Sequence, residues 1–439
     1  MTYRAIILFA AFFLTFSAHS ATAEQEGLTA PPAAARFNAE SATEAYMASL
    51  PPTAQARSNA YFEGGYWLAL WDAVVATAAA WLLLVTQWSS RMRAAAERWT
   101  RWRRLQPVIY AAQYIATITV LTLPWNLYEG FFREHQYDMS NQSLSGWLGD
   151  QGKGLIITLI FGCILAAAIY AVIRKAPRTW WLWGAMVAML GFVFQVAVGP
   201  TYLEPVFNQF YPLPDSPLKQ EILSMARANG VPAQQVYEFD ASKQTTKVSA
   251  HVSGLFGAAR ISLNDNLMNR ATPEEIKAVL GHEIGHYVLN HAYKFMAPIF
   301  LIVMAGFALV QWGYGRLQPW LSRMGVGPVT DVAGMPALVA LFGVYLFVLT
   351  PVLNTLIRSS EAEADAYGLN AARQPDGAAQ AALQLSEYRK MHPGPIEAFL
   401  FYDHPSGWSR IHQAMVWKAE NIQATDIAAY DAAHHPPGD

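Results

Sequence analysis

Six apolar runs, each about 20 residues long, constrain this chain more than any other feature of its sequence. They cover residues 66–88, 107–128, 154–173, 179–199, 295–313 and 333–354. A helix of that length crosses the hydrocarbon core of a bilayer, and Trp and Tyr cluster at several run ends, as they do at membrane interfaces. The chain is 53% hydrophobic and only 14% charged, against roughly 25% charged for an average soluble domain. The sequence therefore predicts a mainly α fold built as a polytopic membrane helix bundle.

The amino-terminal region differs from these runs. Residues 1–23 carry one early Arg, a short apolar core and the exit Ala21-Thr22-Ala23, which predicts a cleaved signal peptide, with a retained first membrane span as the alternative. Residues 24–65 are rich in Ala and Pro and are predicted to form a flexible extramembrane segment. The rest is predicted to divide into an N-terminal four-span membrane domain, 66–199, and a second domain, 200–439, that includes the last two runs.

The stretch LGHEIGHYVLNH in the second domain contains the pattern His-Glu-x-x-His. Upstream, the sequence Thr-Pro-Glu-Glu at 272–275 predicts a helix start with a capping box. On that helix His282 and His286 lie one turn apart on the same face. Both imidazoles can then bind one Zn²⁺ ion while Glu283 acts as general base. Short β-branched runs before the helix predict a small sheet, so the second domain is predicted to be a small α/β zincin-like metallopeptidase.

A catalytic zinc site needs a third protein ligand. His291 lies five residues after the motif, about 140° around a continuous helix, and is predicted to be a surface or interfacial histidine. The stretch LIRSSEAEADAYGLN offers Glu361 and Asp365 on one helical face. We expect Glu361 to bind the metal and Asp365, with Arg358 one turn before Glu361, to lie behind it and orient a ligand. Glu363 points elsewhere and is predicted to be a solvated charge.

These two motifs, separated by one hairpin of membrane spans, resemble the integral-membrane type-1 CAAX prenyl endopeptidase family, in which a similar Arg-x-x-Glu-x-x-Ala-Asp run supplies the third ligand. The resemblance covers most of the chain. It implies a membrane-embedded endopeptidase with one Zn²⁺ per chain that hydrolyses peptide bonds of peptide or protein substrates. A heat-shock-type membrane quality-control protease is the alternative enzyme. An inactive membrane scaffold or a transporter is the alternative of another class.

The resemblance also implies roles for two further stretches. In DHPSGWSRIH, His404 and Arg410 match the family's His-Pro followed by an Arg six residues after the His, and they are implied to stabilise the oxyanion. The family binds substrate as a strand added to a sheet edge before the zinc helix. The stretch SAHVSGLFG occupies that place, which implies substrate contacts from His251, Val252, Ser253 and Gly254. Ser253 and Gly254 stand where the family leads us to expect Asn and Ala.

The distribution of charge predicts the orientation in the membrane. Six Arg residues in 91–104, and three cations in 174–178, place both loops in the cytoplasm by the positive-inside rule. We therefore expect a bacterial inner-membrane protein whose site faces the periplasm. Prenylated cytosolic proteins do not reach that side, so peptides or misfolded membrane and envelope proteins are the expected substrates. The lipid bilayer is an expected partner, and the net charge of −2 predicts no nucleic acid partner.

Overall fold

A computed structural model describes residues 37–254 and 259–422 of the chain. The main helices, in chain order, are α1 Ala39–Ala48, α2 Pro52–Val85, α3 Trp88–Trp99, α4 Gln106–Leu127, α5 Leu144–Lys175, α6 Trp180–Val198, α7 Pro217–Ala228, α8 Asp265–Arg270, α9 Pro273–Val288, α10 His291–Lys294, α11 Met296–Arg323, α12 Met335–Val348, α13 Thr350–Ala372, α14 Pro375–Gln384, α15 Pro395–Phe401 and α16 Gly407–Asn421. The strands are β1 Phe210–Pro212, β2 Val236–Phe239, β3 Ala250–Ser253 and β4 Arg260–Asn264. The predicted mainly α fold with a small sheet is confirmed.

Five helical segments in the described residues are long and apolar enough to cross a membrane. They are Pro52–Val85, Gln106–Gln136, Leu144–Lys175, Trp180–Phe207 and His291–Arg323. A sixth crossing is formed if Val332–Val348 and Thr350–Ala372, bent by 55° against each other, count as one span. Each predicted apolar run overlaps one of these segments. The segments are longer than the runs because helical hydrogen bonding continues into polar turns beyond the hydrocarbon core.

The outer surface of the spans is apolar. Val120, Ile164 and Leu190 are 68%, 63% and 70% exposed, respectively, and each lies within a spanning helix. An exposed apolar surface of this extent is stable when lipid covers it. Inside the bundle, large side chains are fully buried, such as Leu83, Tyr110, Tyr170 and Ile173.

The structure differs from the prediction over the amino-terminal region. Residues 1–36, which include the predicted signal peptide, lie outside the described residues. The rest of the predicted flexible segment is largely helical: α1 begins after Asn38, whose side chain accepts a hydrogen bond from the Ser41 amide, and α2 begins at Pro52. Ala favours helix, and Pro is well suited to the first helical turn. The fully buried Thr43 and the hydrogen bond of Trp408 to Glu44, at 3.1 Å, tie α1 to α16.

The four strands form one sheet in the order β1-β2-β4-β3. β1 pairs antiparallel with β2, β2 parallel with β4, and β3 antiparallel with β4, with His251 opposite Ser262. The sheet packs on α9 through a core that includes Ile261, Leu263, Ile276 and Ile284, all essentially buried. This packing brings the edge strand β3 alongside the helix that carries the His-Glu-x-x-His motif.

Candidate metal centre

Helix α9 presents both motif histidines toward one point. The predicted capping box is confirmed: the Glu275 amide donates to Thr272 Oγ1 at 3.3 Å, and the Thr272 amide donates to Glu275 Oε2 at 2.8 Å. This cap fixes the start of the helix. Two and a half turns later, the Nε2 atoms of His282 and His286 lie 3.0 Å apart.

Helix α13 brings Glu361 to the same point. Its Oε2 lies 3.2 Å from His282 Nε2, and its Oε1 lies 3.4 Å from His286 Nε2. One nitrogen from each histidine and one carboxylate oxygen therefore converge within 4.8 Å of one another. Two imidazoles and one carboxylate form a donor set typical of a catalytic metal site with an open position.

An orphaned oxygen in this cluster fits a metal. Glu361 is 8% exposed, and its Oε2 is buried without a hydrogen-bond partner among the described residues. A buried carboxylate oxygen without a hydrogen bond is costly unless a cation neutralises it. The three residues therefore suit a divalent metal ion better than they suit an ordinary hydrogen-bonded cluster.

Asp365 holds His282 in place. The imidazole Nδ1 donates to Asp365 Oδ1 at 2.8 Å, which leaves Nε2 facing the cluster. Burial alone would lower the pKa of His282, but the hydrogen bond to Asp365 and the nearby carboxylate of Glu361 outweigh it and raise the pKa to about 9. The carboxylates therefore make this imidazole a strong base and a strong metal donor.

Arg410 lies behind Asp365. Its Nη2 and Nε donate to the Asp365 carboxylate at 2.6 and 2.9 Å. The sequence analysis implied that this guanidinium stabilises an oxyanion directly. In the structure its strongest contacts are to the carboxylate that orients His282, although Arg410 also lines the cavity beside the cluster.

His404 does reach the cluster. Its Nδ1 donates to Asp403 Oδ1 at 2.7 Å, and its Nε2 lies 3.2 Å from Glu361 Oε2. Arg358, which was predicted to lie behind the ligands, instead donates to the carbonyls of Ala398 and Tyr402, at 2.8 and 2.5 Å. Arg358 therefore anchors the loop that carries His404.

Glu283 lies beside a cavity of about 240 Å³. His282, His404, Arg410 and Ala250 of strand β3 also line this cavity. Burial raises the pKa of Glu283, and the neighbouring imidazoles of the motif oppose this rise. A carboxylate with a raised pKa is a better proton acceptor than an exposed one, as general-base catalysis requires.

Comparison with known proteins agrees with this geometry. Residues 212–418 match the model of peptidase family M48, and residues 37–209 match the model described as CAAX prenyl protease N-terminal, five membrane helices. CAAX prenyl protease 1 of Saccharomyces cerevisiae is 30% identical over 308 residues, which cover 66% of this chain and 67% of that protein. The chain belongs to the M48 family of CAAX prenyl proteases.

Two further similarities extend the comparison. An uncharacterized metalloprotease of Bacillus subtilis is 29% identical to this M48 peptidase over 338 residues, 76% of this chain and 79% of that protein. The crystal structure of S. mikatae Ste24p has a similar fold, with a TM-score of 0.70 at 21% identity, over 86% of this chain and 94% of that chain. The predicted family, fold class and enzyme class are confirmed: the chain is a multi-pass membrane metalloprotease.

His291 is a functional candidate that the sequence analysis missed. The prediction of a surface or interfacial histidine was wrong, because the side chain is 2% exposed. Its Nδ1 lies 2.8 Å from His286 Nδ1, and its Nε2 lies 3.2 Å from Glu363 Oε2. Since His286 Nε2 faces the cluster, its Nδ1–H donates to His291, which in turn donates to Glu363. Glu363, predicted as a solvated charge, also accepts from Lys294 at 2.7 Å.

The error has a local cause. The angle of about 140° assumed a continuous helix. Helix α9 ends at Val288, and Asn290 adopts a left-handed conformation with φ 57°. The chain therefore turns back, and His291 points under His286. The Leu-Asn-His stretch after the motif was the available signal, because Asn is one of the few non-glycine residues that adopt this conformation readily.

Strand β3 contains three of the four predicted substrate-binding residues, His251, Val252 and Ser253, and Gly254 follows it directly. Val252 packs on the core beneath the sheet, so its side chain is not available at the exposed face of the sheet. His251 Nε2 lies 3.4 Å from Glu204 Oε2, and Ser253 Oγ is buried without a hydrogen-bond partner in the described ranges. Gly254 has φ 143°, which disfavours any residue with a Cβ. The outer edge of β3 has no paired strand in the part of the chain that the structure describes.

Proposed function

We propose that this M48 peptidase is a zinc-dependent endopeptidase in which His282, His286 and Glu361 hold one Zn²⁺. The observation that carries the proposal is the convergence of these three donors beside Glu283. Two neutral nitrogens and one carboxylate suit zinc in tetrahedral geometry, with the fourth position open. When bound, zinc supplies Lewis acidity that polarises the scissile carbonyl and makes water more acidic.

The side chains around the cluster have different roles in the proposed reaction. Glu283 takes a proton from the attacking water and passes it to the leaving amine. His404, oriented by Asp403, stabilises the negative charge that develops on the carbonyl oxygen when its Nε2 is protonated. Arg410 supports the site through Asp365, which keeps His282 in the tautomer that binds metal.

The edge strand β3 binds the substrate as an added strand. Backbone hydrogen bonds along 250–254 hold the peptide in an extended conformation, which tolerates varied side chains. Ala250 lines the cavity that also contains Glu283, so a peptide at this edge runs past the general base. The proposed substrates are therefore extended peptide segments with few sequence requirements.

The proposed orientation is an inner-membrane protein with its site toward the periplasm. Loop 324–331 meets the Arg-rich region: Ser90 donates to the carbonyls of Met324 and Gly325 at 3.1 Å, and Arg93 pairs with Asp331. The opposite ends of the spans contact the peptidase half, since Ser58 donates to the carbonyl of Arg389 at 3.2 Å. The arginines favour the cytoplasm for the first face, and misfolded envelope proteins or peptides then become the natural substrates.

Mutation of the general base tests the enzymatic proposal. Purified wild type is expected to hold one zinc per chain and to cleave an extended model peptide, and a zinc chelator is expected to abolish cleavage. Glu283→Gln is expected to keep the zinc and to lower kcat by at least about 10²–10⁴-fold, the usual contribution of a general base. Metal content is measured by elemental analysis, and cleavage by fluorescence of a quenched peptide.

Glu274→Gln, at the first turn of the same helix, is the matched control and is expected to behave as wild type. Cleavage by Glu283→Gln at the wild-type rate would exclude its role as base. A stoichiometric metal other than zinc in the active preparation would overturn the assignment of the ion.

A further inference from the structure

The segment that leads into the substrate strand is attached to the membrane helices. This connector, residues 240–249, runs from β2 to β3. Thr245 Oγ1 donates to the carbonyl of Met139 at 2.9 Å, Thr246 Oγ1 to that of Asp138 at 2.9 Å, and Ser140 Oγ to that of Gln244 at 2.9 Å. The partners of the connector lie just after the second spanning segment. The connector is therefore attached to the membrane half as well as to the sheet.

Lys247 makes the strongest of these attachments. Its Nζ donates to Tyr61 Oη and to Glu134 Oε2, both at 2.8 Å, and Tyr61 Oη donates to Glu134 Oε1 at 2.7 Å. Tyr61 belongs to the first spanning helix, and Glu134 lies at the end of the second spanning segment, Gln106–Gln136. The three side chains thus close a triangle between two membrane helices and the connector.

Lys247 keeps its positive charge within the triangle. The side chain is 33% exposed, and burial alone would lower its pKa. The hydrogen bonds to Glu134 and Tyr61 outweigh burial and raise the pKa. The ammonium group therefore stays charged at neutral pH, and its charge-assisted hydrogen bonds are stronger than neutral ones.

The proposed substrate edge begins three residues after Lys247, at Ala250. The Lys247 carbonyl accepts from Asn264 Nδ2 at 2.8 Å and from Asn266 Nδ2 at 3.1 Å. The next three residues, 248–250, line the cavity that contains Glu283. Lys247 therefore joins the membrane helices, through its side chain, to the start of the sheet edge, through its backbone. The proposed metal ligands lie on α9 and α13, away from the triangle.

We propose that Lys247, held by Tyr61 and Glu134, is a positioning residue for substrate binding, through which the membrane helices fix the edge strand beside the metal centre. The inference rests on the proposed function, because it requires β3 to be the peptide-binding edge. It predicts that loss of the triangle weakens peptide binding without loss of metal or of the chemical step. A purely structural ion pair would change stability and leave KM unaltered.

The experiment compares Lys247→Met and Glu134→Gln with wild type in detergent. Each variant is expected to raise KM about tenfold, with kcat within about twofold and zinc content unchanged. The same variants in the Glu283→Gln background are expected to raise the Kd of a fluorescent peptide by the same factor. Lys247→Arg is expected to restore most of the affinity, because its guanidinium reaches the same acceptors. The double variant Lys247→Met/Glu134→Gln is expected to bind the peptide no more weakly than either single variant, because both changes remove the same contact.

Lys243→Met is the matched control. Lys243 belongs to the same connector but pairs with Asp240, at 3.0 Å, within it, and this variant is expected to keep the wild-type KM. Unchanged KM and Kd in Lys247→Met, or an equal effect of Lys243→Met, would overturn the inference. If Lys247→Met does not fold, Tyr61→Phe and Glu134→Gln carry the same comparison. Failure of wild type to cleave any peptide would instead reject the proposed function.

Discussion

Each imidazole of the proposed metal site has a hydrogen-bond partner on the side away from the cluster. His282 donates directly to Asp365, which Arg410 holds from behind. His286 donates a hydrogen bond to His291, which in turn donates one to Glu363. Such partners fix the tautomer and the ring orientation of a ligand and increase its basicity. Residues that never touch the metal are therefore expected to control how tightly it binds.

His291 provides a test of this expectation. His291→Phe keeps a buried ring but removes the acceptor of His286 Nδ1, and it is expected to weaken zinc binding by about 10–100-fold. Competition with a chelating dye measures the affinity. His392→Phe, at an exposed histidine away from the cluster, is the control and is expected to bind zinc as wild type does. An unchanged affinity in His291→Phe would mean that this histidine is only a packing residue.

At the scale of elements, the metal centre depends on the close approach of α9 and α13. Small residues make this approach possible: a Cβ added at Gly368 would lie 2.7 Å from the backbone nitrogen of His282, and one added at Gly281 would lie 2.9 Å from the carbonyl oxygen of Gly368. The two helices carry different ligands, so their separation sets the distance between the imidazoles and Glu361.

Gly368→Ala is expected to push the helices apart. A Cβ this close to backbone atoms cannot be relieved by a side-chain rotation, and overpacking of this kind costs about 1–3 kcal/mol. We expect a lower Tm together with weaker zinc binding, measured by thermal unfolding and by dye competition. Gly343→Ala in α12 meets no atom within 4 Å and is the matched control. Wild-type zinc affinity in Gly368→Ala would show that the site tolerates helix displacement.

At the scale of the whole molecule, the spans connect two faces, one of which is rich in arginine. One face carries the Arg-rich loop and the turn between α5 and α6. The other carries the peptidase half, α1 and the connector. Because the first described spanning helix begins and the fourth ends on the peptidase side, this assignment places the site and α1 on the same side of the membrane.

Cysteine labelling in intact cells tests the orientation. The single native cysteine, Cys163, is replaced by Ser, and one exposed residue on each face is changed: Gln220→Cys on α7 and Ser322→Cys at the end of α11. A membrane-impermeant maleimide is expected to label Gln220→Cys in intact cells and Ser322→Cys only after lysis, as the positive-inside rule predicts. The reverse pattern would place the site in the cytoplasm, where prenylated substrates would become accessible.

Local chemistry was sufficient to predict much of this protein. The apolar runs indicated the spans, because length and hydrophobicity alone decide whether a helix can cross a bilayer. The capping box and the spacing of His282 and His286 predicted their helix and their common face, since both depend on residues within a few turns of one another. The Ala- and Pro-rich segment was predicted to be flexible, whereas α1 within it is stabilised by packing on α16, which lies more than 350 residues away in the sequence.

Only the tertiary structure decided which distant side chains meet. It joined Arg410 to Asp365, Arg358 to the loop before His404, and Lys247 to the membrane helices. The turn at Asn290 placed His291 under His286, which no helical periodicity could reveal. Sequence patterns of period 3.6 or 2 determine the face on which a residue lies. The partner that this face meets depends on how the helices pack and on the turns at which they end. These contacts form only when the whole molecule folds.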